Sequence, residues 1–253
     1  MNIIGLDIGG TKITGIVFNG KKAVKILTIP TPKSLGSFKI SVQKLVENLS
    51  AGQKIDALGI GMAGIIEHQK NTVVYSPNLN FVDNLNFSQL FPEIKKIRVD
   101  NDANCFARAE AKIGQGKGFG NFMGITLGTG IGGGLVFKGE VYLGEHGSAG
   151  EAGGMMLDVE NTIEHYFQKA RDASNYKQIA KIVASLLVNI FNLLDVETVI
   201  LGGSVAVKNH ERFLPQAMEI VNKRFIKRKA KYKVLVSKLE NAGAIGAALL
   251  FNK

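Results

Sequence analysis

An α/β fold built twice is what this sequence predicts, on three observations. Apolar β-rich runs joined by glycine turns alternate with segments of helical periodicity. Residues 5–20 (GLDIGGTKITGIVFNG) recur 119 positions later as residues 124–139 (GITLGTGIGGGLVFKG), with six of 16 positions identical. The composition, 45% hydrophobic and 21% charged over 253 residues, is that of an ordinary globular chain with room for one large or two small domains. Two similar hairpins, each opening one half of a duplicated fold, account for the repeat.

The elements follow in order. Residues 2–8 form an apolar strand, Gly9, Gly10 and Thr11 a turn, and residues 13–18 a second strand. Asn19-Gly20 then signals a type I′ turn. Residues 23–29 make a third strand, stopped by Pro30 and Pro32. Phe38, Val42, Leu45, Val46 and Leu49 recur at helical spacing. Residues 55–60 and 96–99 read as short strands, the second running into Asp100-Asn101-Asp102. A small-residue helix over 103–112 follows, then glycine at every second position from Gly114 to Gly120, a candidate hinge. Residues 122–127 and 135–137 flank the second glycine turn. A long helix over 174–194, strands at 198–201 and 234–236 and an Ala-rich helix over 241–251 complete the chain.

Charge and composition exclude some classes of function. Thirty-one Lys and Arg against 21 Asp and Glu give +10, a surface that attracts nucleotides, phosphorylated metabolites, polyphosphate or nucleic acid without choosing among them. The densest basic run, 223–233, reads either as a solvated helix end or as an anion-binding patch. A single cysteine, Cys105, excludes an internal disulfide and a cysteine-cluster metal site, and the four histidines show no metal spacing. The apolar stretches, such as 182–190, fall short of the ~20 residues that span a bilayer. The opening residues lack a signal peptide's basic and apolar regions, so a cytoplasmic protein is expected.

Glycine turns between strands present backbone N–H groups with no side chain in the way, which suits a phosphate chain. Two such turns, at 7–12 and 127–134, open the two halves. Asp7 at the first would repel phosphate unless a divalent cation lay between, which makes it a candidate Mg²⁺ partner, direct or through water. The glycines of 128–133 fit a dinucleotide pattern literally, but a strand follows where that pattern needs a helix, and no P-loop motif is present. Asp102, at a strand–helix junction, reads as a helix cap or as a general base. Glu151 on a glycine-rich segment, Glu164 and Asn101 supply acceptors for sugar hydroxyls, though Glu164 reads equally as a first-turn helix acid. Gly202-Gly203 ends an apolar strand, leaving backbone for an adenine to lie against or a plain strand-to-helix turn.

Taken as an ordered set, these motifs resemble the ROK family of sugar kinases, glucokinase-like members of the actin/hexokinase/Hsp70 ATPase superfamily. Asp7-Ile-Gly-Gly-Thr-Lys12 resembles its first phosphate motif, Asn101-Asp102-Ala-Asn104 its catalytic block and Leu127-Gly-Thr-Gly-Ile-Gly-Gly-Gly134 its second phosphate motif. Gly147-x-Ala-Gly-Glu151-x-Gly resembles its sugar signature, and Gly202-Gly203 and Ala242-Gly-Ala-Ile-Gly-Ala247 its later segments. The resemblance implies a two-lobed actin-like, ribonuclease H-like ATPase fold with an interlobe cleft. One lobe would be 1–118, completed by 241–253, and the other 119–240. It implies Asp102 as general base and Asn101, Glu151, Glu164, Gly64 and Asn78 as sugar-site residues. Gly9, Gly10, Thr11, Lys12, Thr129, Gly130, Gly202 and Gly203 would serve the nucleotide, and Asp7 the Mg²⁺.

The departures matter too. Gly154 stands where the family has a zinc-binding His, its three cysteines are missing, and nine residues separate Gly154 from Glu164. No structural zinc is therefore expected. The implied activity is Mg²⁺-ATP-dependent phosphorylation of a hexose or N-acetylhexosamine at its 6-hydroxyl. The alternatives are a polyphosphate-dependent glucokinase and a catalytically silent sugar-binding protein. A sugar-responsive regulator would need a helix-turn-helix ahead of residue 7. The expected partners are a small sugar and ATP, with no nucleic acid and no membrane; the oligomeric state stays open, a homodimer being one reading, since members of the family it resembles are often dimers or tetramers.

Overall fold

The computed structural model describes residues 2–224 and 232–252. Of the basic run, Lys227, Arg228, Lys229 and Lys231 lie outside the described residues. The chain divides into two units, one of Met1–Ala109, Gly144–Ser148 and Leu239–Lys253, the other of Glu110–Leu143 and Ala149–Lys238. The division falls at 109/110, where the sequence reading places it at 118. Glu110 explains the difference: its buried carboxylate accepts from the Gln115 N–H (2.7 Å) and the Ser237 hydroxyl (2.5 Å), which ties it to the second unit.

The first unit carries β1 (Ile3–Ile8), β2 (Lys12–Phe18), β3 (Ala23–Pro30), α1 (Leu35–Ser50), β4 (Ala57–Met62), β5 (Ile65–Glu67), β6 (Thr72–Tyr75), α2 (Phe87–Leu90), β7 (Ile97–Asn101) and the start of α3 (Asp102–Ile113). Its sheet runs β3-β2-β1-β4-β7, with β1, β4 and β7 parallel and the β2–β3 side antiparallel. Ser34 caps α1, and Phe38, Val42, Leu45 and Leu49 bury one stripe of it against the sheet.

In the second unit β8 (Phe122–Leu127), β9 (Ile131–Phe137), β10 (Glu140–Tyr142), α4 (Ile163–Asp172), α5 (Tyr176–Leu194), β11 (Thr198–Gly202), α6 (Gly203–Arg224) and β12 (Lys233–Val236) follow. The sheet order β10-β9-β8-β11-β12 reproduces that of the first unit. β1 and β8, and β2 and β9, span matching positions at the 119-residue offset. The hairpins are not identical: Ile8 pairs with Ile13 across four residues, whereas Leu127 pairs with Ile131 across three.

The closing helix α7 (Ala242–Ala248) returns to the first unit. It lies so close to β1 and β4 that a side chain at Gly5 would overlap the Ala244 carbonyl oxygen, and one at Gly59 the Ala247 carbonyl oxygen.

Several expectations change. Asn19 does not take the positive φ that a type I′ turn needs; its side chain instead accepts from the Lys21 and Lys22 N–H groups, 3.0 Å each. The proposed hinge lies wholly in the second unit, and two of its glycines have a packing reason. A side chain at Gly114 would meet Glu110 and one at Gly116 would meet Phe122. The helix expected over 174–194 starts at Tyr176, after Ser174 at φ 50° and the cap Asn175. As a whole, α5 is long and apolar enough, by length and composition, to cross a membrane, with mean hydropathy 1.4. Its apolar face belongs to the core: Ile179, Ile182, Val183, Leu186, Leu187 and Ile190 are buried in the second unit.

Candidate functional site

In the first unit the parallel strands β1, β4 and β7 end along one sheet edge, where Asp7, Gly61 and Asp100 stand in register. Ligands of open α/β sheets gather at such carboxyl ends. Asp7 and Asp102 are close enough to repel: burial and then the Asp102 charge raise the Asp7 pKa from 3.8 to about 7, against the pull of Lys12. Burial also raises Asp102, against hydrogen bonds from backbone N–H groups that favour its charged form. Its Oδ1 accepts from the Ala103 N–H at 2.8 Å, inside the first turn of α3. Both residues are partly exposed as a whole. Gly243 leaves Asp7 its space, since a side chain there would come within 2.6 Å of Oδ2.

Asn101 turns out to be the better cap. Its Oδ1 accepts from the N–H groups of Ala103 (2.8 Å) and Asn104 (3.3 Å), while its amide donates to the Gly64 carbonyl (3.1 Å). The cap function expected of Asp102 is therefore shared with Asn101, and Asn101 is brought together with Gly64. Gly64 sits at φ 129° and presses on Tyr75, a conformation and a space open only to glycine. Asn78 is exposed and lies against Gly10 in the first glycine turn. That turn closes through the Gly9 N–H to the Lys12 carbonyl (3.1 Å), and Thr11 and Lys12 are exposed.

Sequence reasoning missed the support behind this edge. The Asp100 carboxylate, 1% exposed, accepts from His68 Nε2 (3.1 Å), Arg108 (2.9 Å), the Asn104 amide (3.0 Å) and the Asn101 N–H (2.8 Å). Burial alone would raise its pKa; the His68 bond, the Arg108 charge and Asn104 outweigh burial and hold it below the usual range. Lys33 was also missed: its Nζ donates to the Gly10 carbonyl at 3.3 Å. No sequence signal marked either, because His68 is 32 residues from Asp100 and Lys33 is 23 from Gly10.

In the second unit the turn Gly128-Thr129-Gly130 is closed by the Gly128 N–H to the Gly130 carbonyl (3.0 Å). Gly203, at φ 81°, packs on Leu127 at the base of the turn, so Gly202-Gly203 serves the strand-to-helix junction and adjoins the turn at once. Glu164 does not simply project outward. Its Oε2 accepts the Ile131 N–H at 2.6 Å, and it fills the space a side chain at Gly130 would take. Glu151 is exposed on the 3₁₀ turn that starts at Ala152.

Among the described residues no group of three or more His, Cys, Asp or Glu side chains is gathered that could hold a metal ion. Asp7 still fits Mg²⁺. Its buried carboxylate is a hard-oxygen donor whose repulsion by the Asp102 charge a cation would relieve, and Mg²⁺ takes one or two carboxylates while keeping water and phosphate oxygens as its other ligands.

The chain is 37% identical over 152 residues to the glucokinase of Streptomyces coelicolor, 59% of this chain and 48% of that one. It is 36% identical over 163 residues to the N-acetyl-D-glucosamine kinase of Mannheimia succiniciproducens, 62% of this chain and 53% of that one. The chain thus spans about half the length of these curated relatives. A ROK hexokinase from Thermus thermophilus superposes with TM-score 0.84 at 27% identity, over 98% of this chain and 97% of that one. A ROK glucokinase from Streptomyces griseus in complex with glucose and AMPPNP gives TM-score 0.87 at 23% identity over 99% of both. The duplicated sheets are those of the two-domain actin-like ATPase fold. The ROK family model matches residues 3–165 and 156–253, so both halves of the repeat are covered and the chain belongs to the ROK family.

Proposed function

We propose that this protein is an ATP-dependent sugar kinase acting in the cytoplasm, with glucose or a related hexose or N-acetylhexosamine as acceptor. The observation that carries the reading is Asp102: a partly exposed residue just past the end of β7, whose carboxylate burial raises and whose charge acts on a second acid, Asp7. The relatives named glucokinase and N-acetyl-D-glucosamine kinase supply the reaction class and the two acceptor types.

In the proposed reaction Asp102 takes the proton of the sugar 6-hydroxyl as that oxygen bonds to the γ-phosphorus. The bond to the β-phosphate bridging oxygen breaks, and ADP leaves with the electron pair. A raised pKa makes Asp102 a stronger base than an exposed aspartate. Its α3 bond to Ala103 fixes one oxygen and leaves the other for the hydroxyl. Asn101, Gly64, Asn78, Glu151 and Glu164 are the proposed sugar-site residues. Gly9, Gly10, Thr11, Lys12, Thr129, Gly130, Gly202 and Gly203 are assigned to the nucleotide. Asp7 would hold Mg²⁺, directly or through water, and the ion supplies neutralising charge to the phosphates when bound.

Asp102→Asn tests the assignment. Turnover should fall at least ~10²-fold with the thermal transition retained, and near-normal phosphorylation by this variant would refute it. The net charge of +10 favours a second donor, polyphosphate. A hexose panel assayed with each donor separates the two, and strong salt inhibition with polyphosphate alone would favour the second. A ligand-dependent thermal shift without product would point to a silent sugar-binding protein.

A further inference from the structure

We propose that α4 clamps the second glycine turn at two points, with Glu164 and Arg171 as positioning residues for the phosphoryl donor; the inference rests on the kinase reading above. The two side chains stand seven residues, about two turns, apart on α4, so they share one face and lie ~10 Å apart along the axis. Both reach the same short segment with opposite polarity. Glu164 Oε2 accepts the Ile131 N–H at 2.6 Å. The Arg171 guanidinium donates from one nitrogen to the carbonyls of Thr129 and Gly128, the latter at 3.3 Å. Its Nε and other terminal nitrogen hold Asp172 Oδ1 at 2.9 and 2.6 Å, which fixes the plane of the fork.

The consequence follows from peptide geometry. A trans peptide points its C=O and N–H in opposite directions. By holding the carbonyls of Gly128 and Thr129, Arg171 turns the N–H groups of Thr129 and Gly130 away from itself. Among the described residues those two N–H groups have no hydrogen-bond partner. They are thus left as paired donors on a turn that is otherwise pinned, and the guanidinium charge polarises both peptides toward an anion. Glu164 explains why position 130 is glycine: the carboxylate occupies the place of its side chain. Sequence spacing alone offered no hint of Arg171, which lies 42 residues from Thr129.

Calorimetric titration of the whole protein with AMPPNP, together with steady-state kinetics in ATP and sugar, tests the clamp. For Arg171→Met, nucleotide affinity should fall at least ~10-fold, the scale of one lost charge-assisted hydrogen bond. KM for ATP should rise in step while KM for the sugar stays within about twofold. Arg171→Lys, which keeps a donor, should recover part of the loss. Glu164→Gln, whose amide oxygen still accepts from Ile131, should bind nucleotide nearly as wild type, and Glu164→Ala should not. Wild-type nucleotide affinity in Arg171→Met, or equal losses for ATP and sugar, overturns the clamp. Should Arg171→Met fail to fold, Gly130→Ala decides, because its methyl displaces the Glu164 carboxylate; unchanged nucleotide affinity there overturns the clamp as well. A wild-type protein that binds AMPPNP yet phosphorylates no sugar overturns the kinase reading and leaves the clamp to be judged by binding. One that binds neither AMPPNP nor polyphosphate overturns both.

Discussion

Replacing Asp7 by Asn should stabilise the ligand-free protein, and more at pH 8 than at pH 5. The Asp7 carboxyl is raised from 3.8 to about 7, so at neutral pH the folded chain resists an ionisation that the unfolded chain has completed. Below pH 3.8 the group is neutral in both states and costs nothing. The stability this protects is lost as pH rises through 7. At 1.36 kcal/mol per pH unit, the rise from 3.8 to about 7 amounts to a penalty of about 4 kcal/mol above pH 7 and about 1.6 kcal/mol at pH 5. The difference, about 3 kcal/mol, is an upper bound because Asp7 is a partly exposed residue, and ~1–3 kcal/mol is the expected size. Asn is nearly isosteric and neutral throughout. Urea denaturation of both proteins at pH 5 and pH 8, without divalent cation, reads the effect as a difference in midpoint. An Asn gain that is equal at the two pH values, or larger at pH 5, refutes the reasoning. Millimolar Mg²⁺ at pH 8 should raise the wild-type midpoint and leave that of the variant in place.

Other substitutions test the rest of the structure. Asp100→Ala leaves His68, Arg108 and Asn104 without their shared acceptor and should cost about 3–5 kcal/mol in denaturant titrations. Because the Asp100 pKa is lowered, its contribution is fully present above pH 3.8 and drains away below it, so the variant should differ least from wild type in acid. Gly59→Ala would drive a methyl into the Ala247 carbonyl and should cost about 3 kcal/mol, seen as a lower melting temperature. Gly36→Ala, exposed in α1 with open space around it, should instead gain ~0.5–1 kcal/mol. Gly154 faces open space, so Gly154→His should keep the melting temperature while any effect on catalysis appears in the sugar KM.

What local chemistry specifies was legible before any coordinates. Glycine spacing marked both turns, since a tight reversal between strands depends on a few neighbouring backbones. The 119-residue repeat foretold a duplicated fold; that the two sheets share one strand order came from the structure. The Asn101-Asp102 junction was legible as a strand running into a helix. Helix α6 was read only at its ends, as a strand-to-helix turn at Gly202-Gly203 and a solvated helix end in 223–233. The β5–β6 hairpin, of three and four residues, went unread, and α4 was anticipated only as a helix that Glu164 could begin.

By itself, then, the sequence determined the α/β class, the duplication and the positions of the two glycine turns and of Asp102, all of which depend on residues adjacent in the chain. Tertiary structure alone decided that Asp7 and Asp102 repel each other, that His68 and Arg108 converge on Asp100, and that Glu164 and Arg171 grip one turn. Those relations join residues tens of positions apart, and their strength depends on burial and on angles that no local pattern encodes.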